Sequence, residues 1–432
     1  MADILLIQPP LPPPLDAYVR DMVLTPPLGL CYLASCLKKD YRVSIMDASI
    51  LNLDMKAITN EIKKADPKIL GITTTTYTFK NSLKIAQIAK QLNKSIATVL
   101  GGPHVTFTAE EALKNHQIDF VVRHEGEMTM KQLSDLILKK EGELSAIKGV
   151  TYRAGEEIVS APPQPLIEDL DGLPFPSRDL TPLHLYRIPG SIITSRGCPS
   201  KCIFCAAGAM SGQKYRVRSP DNIVKEVKEM IQRINPGFFF IADDTFTIFP
   251  ERVRAISQKF REQGMRWVCE ARVNTVNEEI LEELASAGCF AIQFGVESGS
   301  QKILDSILKG TTIEQVRKAV NWCLKVGIIP VCSFMTPHPE DDWETVMETE
   351  KFMNELKGLG AQLYVSLTTP FPGTVLYDKA TELGIKLLTE DTDDFNLATP
   401  VIQTKNFSVE DIDKIFDRFM QISKDTIPFE NM

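Results

Sequence analysis

Three cysteines, Cys198, Cys202 and Cys205, fall within eight residues, in the string SRGCPSKCIFCAAG at 195–208. Thiolates so placed on one loop can converge on a single soft metal centre. Four of them would close a structural zinc site. Three on a four-iron cluster leave one iron without a protein ligand, open to a small molecule. Gly197 and Pro199 permit a tight loop, and Arg196 and Lys201 bring positive charge that favours thiolates and offsets an anionic cluster. The spacing alone also admits zinc with a fourth ligand elsewhere, or cysteines that are simply buried. Cys269, Cys289, Cys323 and Cys332 lie in apolar surroundings and read as packing residues.

A chain of 432 residues is too long for one ordinary domain, so two or three are expected. It is 44% hydrophobic and 24% charged, as a soluble globular protein is. A net charge of −8 excludes broad electrostatic attraction to nucleic acid. Nine cysteines, an odd number with one cluster, do not form a secreted disulfide framework. The opening MADILLIQPP is no signal peptide, and no run approaches the roughly 18 apolar residues of a membrane span. A reduced, cytoplasmic protein without an integral membrane segment is expected.

The first third alternates. Apolar runs at 3–7, 43–47, 69–73, 96–100 and 120–123 read as buried strands, and 28–39, 55–64, 82–93, 109–115 and 128–139 as helices. That order argues a doubly wound parallel sheet with helices on both faces. Prolines 9, 10, 12, 13 and 14 force an extended loop, either a rigid crossing or a lid. Ligands of such sheets bind beyond the carboxyl ends of the strands. Two of those ends are unusual: Thr73, Thr74, Thr75, Thr76 and Tyr77, and Gly101, Gly102, Pro103 and His104. Paired glycines let a ligand approach the backbone, though a plain strand–helix turn would read the same way. No GxGxxG is present, so a dinucleotide is not favoured.

Residues 150–160 read as a hairpin, and six prolines between 162 and 182 mark an irregular linker. Alternation then resumes. Strands are expected at 192–195, 238–242, 267–271, 290–296, 328–335 and 363–367, each running into a polar or Gly/Pro-rich string. Ser219-Pro220 starts one intervening helix, and Thr312 with Gln315 forms a capping box for another. Six strand–helix units make a partial (β/α)6 barrel, open on one side, whose chemistry belongs at the carboxyl ends of its strands.

CPSKCIFC resembles the CxxxCxxC loop of the radical S-adenosylmethionine (SAM) enzymes, with aromatic Phe204 before the third cysteine. The resemblance implies that Cys198, Cys202 and Cys205 ligate a [4Fe-4S] cluster. Its free iron would chelate the methionyl group of SAM, whose reductive cleavage gives a 5′-deoxyadenosyl radical. Further strings match the family in order. ADDTFT, with Asp243 and Asp244, stands where the methionyl amine is met, largely by backbone carbonyls. EARVN offers Arg272 to the SAM carboxylate. FGVESGS places Glu297 and Ser298 near the ribose or methionyl end, and Gly295 where adenosine approaches the sheet. The fifth strand exit, Met335-Thr336-Pro337-His338-Pro339-Glu340, departs from the family's glycine-containing string, and His338 there reads as an acid–base group or a loop residue.

The strings QPP, PPLGLCYLA, MDAS, GITTTTYTF, GGPHVT and VVRHEGE over roughly residues 1–140 are similar to the cobalamin-binding domain of one radical SAM subfamily. That implies cobalamin contacts from residues 73–77, from Gly101, Gly102, Pro103 and His104, and from Glu125, although Glu125 and Glu127 could equally be caps. No DxHxxG is present, so binding is expected to be base-off with no histidine below cobalt. The organisation implied is a Rossmann-like cobalamin domain (1–145), a hairpin and proline-rich linker (146–189), a radical SAM partial barrel (190–375) and a small helical C-terminal domain (376–432). The activity implied is methylation of an unactivated carbon of a small molecule through the adenosyl radical and methylcobalamin. The alternative is oxidative cyclisation or rearrangement with the same cofactors. Either needs an external one-electron reductant of flavodoxin or ferredoxin type.

Overall fold

The computed structural model describes residues 2–12, 25–425 and 427. Pro13 and Pro14 of the expected extended loop lie outside the described residues. The chain divides into two compact units, Met1–Pro189 and Gly190–Met432.

In the first unit, strands β1 (Ile4–Gln8), β2 (Val43–Asp47), β3 (Ile69–Thr73), β4 (Ala97–Gly101) and β5 (Phe120–Val122) run parallel in the order 2-1-3-4-5. Alternation along each strand sends side chains to opposite faces. Leu5 and Ile7 enter one core with Leu70, Ile72 and Leu100, whereas Ile4 and Leu6 enter another with Ile69 and Val99. Both faces are thus covered, as the apolar runs require. Helices α1 (Leu28–Leu37) and α2 (Phe79–Leu92) contribute to opposite cores, Leu30 and Ala34 to one and Ile85 and Ala89 to the other. The order reverses between β1 and β3, the crevice that such sheets use for ligands.

The hairpin β6 (Val150–Ala154) and β7 (Glu157–Ser160) continues this sheet antiparallel from β5. It is therefore part of the first unit rather than of a separate linker. The proline-rich segment beyond it is tied to the same unit. The Ile167 N–H donates to Glu125 Oε2 (2.8 Å), the Ser177 N–H to the Cys31 carbonyl (3.0 Å), and the Tyr186 hydroxyl to Asp47 Oδ2 (2.8 Å).

In the second unit, β8 (Ser191–Ile192), β11 (Phe239–Ile241), β12 (Trp267–Ala271), β13 (Cys289–Glu297), β14 (Ile329–Thr336) and β15 (Gln362–Leu367) form a six-stranded parallel sheet in chain order. β8 and β15 are its two edges, so the sheet is open. Between β8 and β11, the short strands β9 (Ser195–Arg196) and β10 (Arg216–Val217) pair antiparallel and close the neck of the cysteine loop. The expected strand at 192–195 is accordingly split, because Ser195 pairs with Val217 instead of extending β8. Cys269, Cys289, Cys323 and Cys332 are buried in the core of this unit, as their apolar surroundings imply.

Among the described residues, those from 376 to 425 do not form a core of their own. The C-terminal helix α3 (Val409–Ser423), capped by Ser408 and Asp411, buries Ile412, Ile415 and Phe419 in the same core as the sheet. An amphipathic helix with one apolar stripe needs a partner surface, and the second unit supplies it.

Candidate active site

The loop between β9 and β10 holds the three cysteines on fixed backbone. Gly197 has φ +92°, and a Cβ there would lie 2.4 Å from the Lys214 carbonyl oxygen, so only glycine fits. The Cys198 N–H donates to the Gly212 carbonyl (3.1 Å) and the Cys205 N–H to the Cys202 carbonyl (3.2 Å). Ile203 is held from two sides: its N–H donates to the Ile307 carbonyl (3.2 Å) and its carbonyl accepts from the Leu376 N–H (2.8 Å). Cys198 and Cys202 are buried and Cys205 is exposed.

Donors approach two of the sulfurs. Arg272 Nη1 lies 3.4 Å from Cys202 Sγ, and the Ala207 N–H lies 3.4 Å from Cys205 Sγ. Although solvent reaches Cys205, the protein packed around it pushes its thiol up to about 11; the Ala207 N–H opposes the shift, and Cys202, Asp244 and Cys198 nearby add to it. Among the described residues, no three His, Cys, Asp or Glu side chains gather closely enough to hold one metal ion. A four-iron cluster instead spreads its thiolates over separate irons, and three cysteines with a neighbouring guanidinium suit that donor set.

Asp243, just after β11, has its carboxylate committed within the protein. Oδ1 accepts from the backbone N–H groups of Thr194 (2.6 Å) and Ser195 (3.0 Å), and Oδ2 from both their hydroxyls. Arg252 Nη2 donates to the Thr194 carbonyl (2.7 Å) and hydroxyl (2.6 Å). Beside it, Arg218 pairs with Glu226 at 2.5 Å, both buried. These groups fix the chain as it enters the cysteine loop. Asp244 is exposed at the rim, yet enough protein surrounds it that burial, with Asp243, raises its pKa.

Glu270, on β12, is a site residue that sequence reasoning missed. Burial pushes it up to about 7, with Asp244, Asp243 and Glu297 contributing in that order. Its string EARVN points to Arg272, and a strand-end glutamate has no pattern of its own. What marks it is the set of carboxylates converging from neighbouring strands.

Glu297, at the end of β13, has φ +72° and is buried, and its Oε1 pairs with Lys309 Nζ at 2.7 Å. Gly295 leaves room for this pair: a Cβ there would lie 2.4 Å from Glu297 Oε1 and 2.8 Å from Lys309 Nζ. The Ser298 hydroxyl is 3.1 Å from the Thr349 hydroxyl and accepts from the Ser300 N–H, so it braces the strand exit. Arg272 also donates to the Lys309 carbonyl, which ties the end of β12 to the segment after the short helix that follows β13. Phe204 lies 6.3 Å from the His338 ring, centroid to centroid. His338 is buried, its Nε2 is 3.4 Å from the Glu297 carbonyl, and its N–H donates to Asp341 (2.7 Å). It is thus part of the site wall rather than a free loop residue.

In the first unit, Gly102 (φ +99°) packs so tightly that a Cβ would lie 2.8 Å from Thr74 N and O. The two ligand-type strand ends therefore form one surface, on which Thr75 and Pro103 are exposed and Thr73 and Gly101 half-buried. Thr74 is turned inward and its hydroxyl donates to Ser82 (3.2 Å). The Tyr77 hydroxyl donates to the Pro12 carbonyl (3.1 Å), and Asn81 to that of Pro10 (2.9 Å). His104 is buried: Nδ1 is 3.1 Å from the Thr76 hydroxyl and the ring is 4.4 Å from Phe79. Burial lowers its pKa to about 4. The side chains of His104 and Thr76 bond each other, and Glu125 holds the backbone at Ile167.

Residues 192–353 match the radical SAM superfamily, and residues 23–134 match the B12 binding domain. The chain is 37% identical over 412 residues to an uncharacterised methyltransferase of Pyrococcus horikoshii, covering 93% of this chain and 89% of that protein. The chain belongs to the B12-binding radical SAM enzymes, methyltransferase-like in kind. It is 30% identical over 414 residues to the anaerobic magnesium-protoporphyrin IX monomethyl ester cyclase of Rubrivivax gelatinosus, covering 91% of this chain and 72% of that one. Its fold matches the methyltransferase TsrM of Kitasatospora setae, solved with cobalamin and a [4Fe-4S] cluster, with a TM-score of 0.77 at 17% identity over 98% of this chain and 89% of that chain. It also matches the cobalamin-dependent radical enzyme OxsB, with a TM-score of 0.76 at 19% identity over 94% of this chain and 65% of that chain. The cofactors of the family are a [4Fe-4S] cluster, SAM and cobalamin, and the partner class is a small-molecule substrate. No helix among the described residues is long and apolar enough to cross a membrane.

Two outcomes follow from this geometry. Asp243→Ala leaves two N–H groups and two hydroxyls without their acceptor, a loss of at least ~2 kcal/mol. Iron retained per chain should fall well below wild type, and wild-type iron content with unchanged melting would contradict the role given to Asp243. Glu270, raised above its unfolded value, stays protonated in the fold where the unfolded chain has already ionised. Its contribution to stability is complete below the unfolded pKa and is lost as pH rises towards about 7. In the cofactor-free protein, Glu270→Gln should flatten the decline in melting temperature over that range, and an unchanged slope would count against it.

Proposed function

We propose that this enzyme methylates an unactivated carbon of a small molecule, with SAM held over the cysteine loop of the second unit and cobalamin on the carboxyl edge of the first sheet. The observation that carries the reading is the convergence of Phe204, Arg272, Glu297 and Glu270 around three cysteines that share one loop. When bound, the cluster with SAM supplies a hydrogen-abstracting radical, and the corrinoid supplies a transferable methyl group.

The chain's own residues have separable tasks in this reading. Cys198, Cys202 and Cys205 ligate the cluster. Arg272, already donating to Cys202, steadies negative charge at the sulfurs. The Glu297 carboxylate and the backbone after Asp244 receive the polar end of SAM, and Phe204 provides an apolar wall. Glu270, poised near neutrality, can hold or give up a proton at its carboxylate during turnover. His338 closes the wall behind Phe204 and limits water.

In the first unit, the half-buried Gly101 and Gly102 and the exposed Thr75 and Pro103 would take the corrinoid. Base-off binding without a histidine beneath cobalt is supported by His104, whose imidazole is buried against Thr76 and Phe79. An external one-electron reductant of flavodoxin or ferredoxin type, in a reducing cytoplasm, completes the scheme.

A second reading, ring formation or rearrangement without methyl transfer, is favoured by the 30% identity to the cyclase. Methyl-labelled SAM separates the two. Label in the product together with 5′-deoxyadenosine is expected for methylation. Deoxyadenosine with a changed but unlabelled product would assign the cyclase-type reaction and end the methyltransferase reading. Cys202→Ala should abolish deoxyadenosine formation in either case.

A further inference from the structure

The segment after β13 turns one lysine into the protein against the backbone's preference. Leu308 (φ +53°) is left-handed without being glycine, and Gly310 (φ +67°) is left-handed two residues later. Leu308 is left 54% exposed, whereas Lys309 between them is only 5% exposed. Its N–H closes the preceding helix on the Leu304 carbonyl (2.9 Å). The residue it meets, Glu297, is itself a left-handed non-glycine. Two such conformations, each costing on the order of 1 kcal/mol or more, therefore surround one buried ion pair.

A buried ion pair is a weak source of stability, because desolvation offsets most of its attraction. The lysine's other contacts indicate a different role. Its Nζ lies 5.6 Å from the centre of the Phe204 ring, within cation–π range, and Phe204 stands between the second and third cysteines. Its carbonyl accepts from Arg272, whose other terminal nitrogen reaches Cys202 Sγ. Two residues before it, the Ile307 carbonyl holds the cysteine loop at Ile203. Lys309 thus touches the ends of two strands and the cysteine loop at once.

We propose that Lys309 is a positioning residue of the SAM site. Its ammonium fixes the Glu297 carboxylate and the Phe204 ring at one spacing, so that the polar and apolar walls meet the cosubstrate together. This rests on the reading of these strand ends as the SAM site. With Oε1 committed to Lys309, Glu297 presents its other oxygen in a single orientation.

The test uses full-length protein with its cluster reconstituted anaerobically. Iron content, the electron paramagnetic resonance (EPR) signal of the reduced cluster with and without SAM, and SAM affinity by equilibrium dialysis are compared for wild type, Lys309→Met, Glu297→Gln and the double variant. Lys309→Met should keep about four irons per chain and the SAM-free signal. It should lose the SAM-induced change in the signal and bind SAM at least about tenfold more weakly, the loss of one charge-assisted contact. Because the two side chains act as one unit, the double variant should be no worse than the weaker single variant. The double variant leaves no buried charge unpaired, so it remains measurable if Lys309→Met fails to fold.

SAM affinity within about twofold of wild type in Lys309→Met, or in a double variant standing in for it, would overturn the proposal, as would additive losses. Wild-type protein that takes up the cluster but shows no SAM-dependent change would sink the SAM-site reading, and this inference with it. A SAM response in wild type that persists in Lys309→Met would sink this inference alone.

Discussion

The buried carboxylate of Asp243 sets the terms for the second unit. It gathers two backbone N–H groups and two hydroxyls from Thr194 and Ser195, the residues through which the chain leaves β8 and enters the cysteine loop. A loop that must present three sulfurs to one inorganic cluster cannot rely on its own few contacts for precision. Its entrance has to be fixed by the sheet. Arg252 and the Arg218–Glu226 pair surround the same junction, so buried hydrogen bonds and a buried ion pair fix the chain immediately before Cys198. Farther along, Ile203 is held by Ile307, at the end of the short helix after β13, and by Leu376, in the short helix after β15. Order in the loop is thereby borrowed from the sheet at its entrance and from these two helices farther on.

Electrostatics follows from that placement. Burial, with Asp244, Asp243 and Glu297 from the neighbouring strand ends, raises the cost of ionising Glu270. Arg272 and Lys309 enter from the other side and meet a sulfur and a carboxylate respectively. A zwitterionic cosubstrate that carries an amine, a carboxylate and a sulfonium needs both kinds of wall. The first unit solves a simpler problem. Its strand ends provide a close backbone surface at Gly101 and Gly102, and its polar side chains are largely used to hold that surface, Thr74 on Ser82 and His104 on Thr76.

Much of this was legible from residue order. Alternating apolar runs gave the parallel strands because burial on both faces leaves little room for polar residues, and Leu5/Ile7 against Ile4/Leu6 shows the pattern at work. The cysteine spacing pointed to three ligands on one loop because few other arrangements use it. What stayed hidden was the direction in which polar side chains turn. Asp243 and Ser298 stand in strings that read as ligand contacts, yet both bond their own protein. Gly295 read as space for adenosine, and residue types alone did not show that a Cβ there would also meet the Glu297–Lys309 pair. Lys309 follows an ordinary short helix and has the sequence signature of a surface lysine. Only the left-handed turn at Leu308, which no pattern of residue types announces, sends it inward. The shared core of the C-terminal helix was hidden for the same reason, since an apolar stripe does not name its partner.

The central claim is that one chain carries a site for an iron–sulfur cluster and a site for cobalamin. It is tested most directly by purifying the protein anaerobically with cobalamin present and measuring iron, sulfide and corrinoid per chain. About four irons, about four sulfides and about one corrinoid are predicted. Iron and sulfide without corrinoid would contradict the claim for the first unit and remove the methyl donor from the proposed reaction. Corrinoid without iron would contradict it for the second.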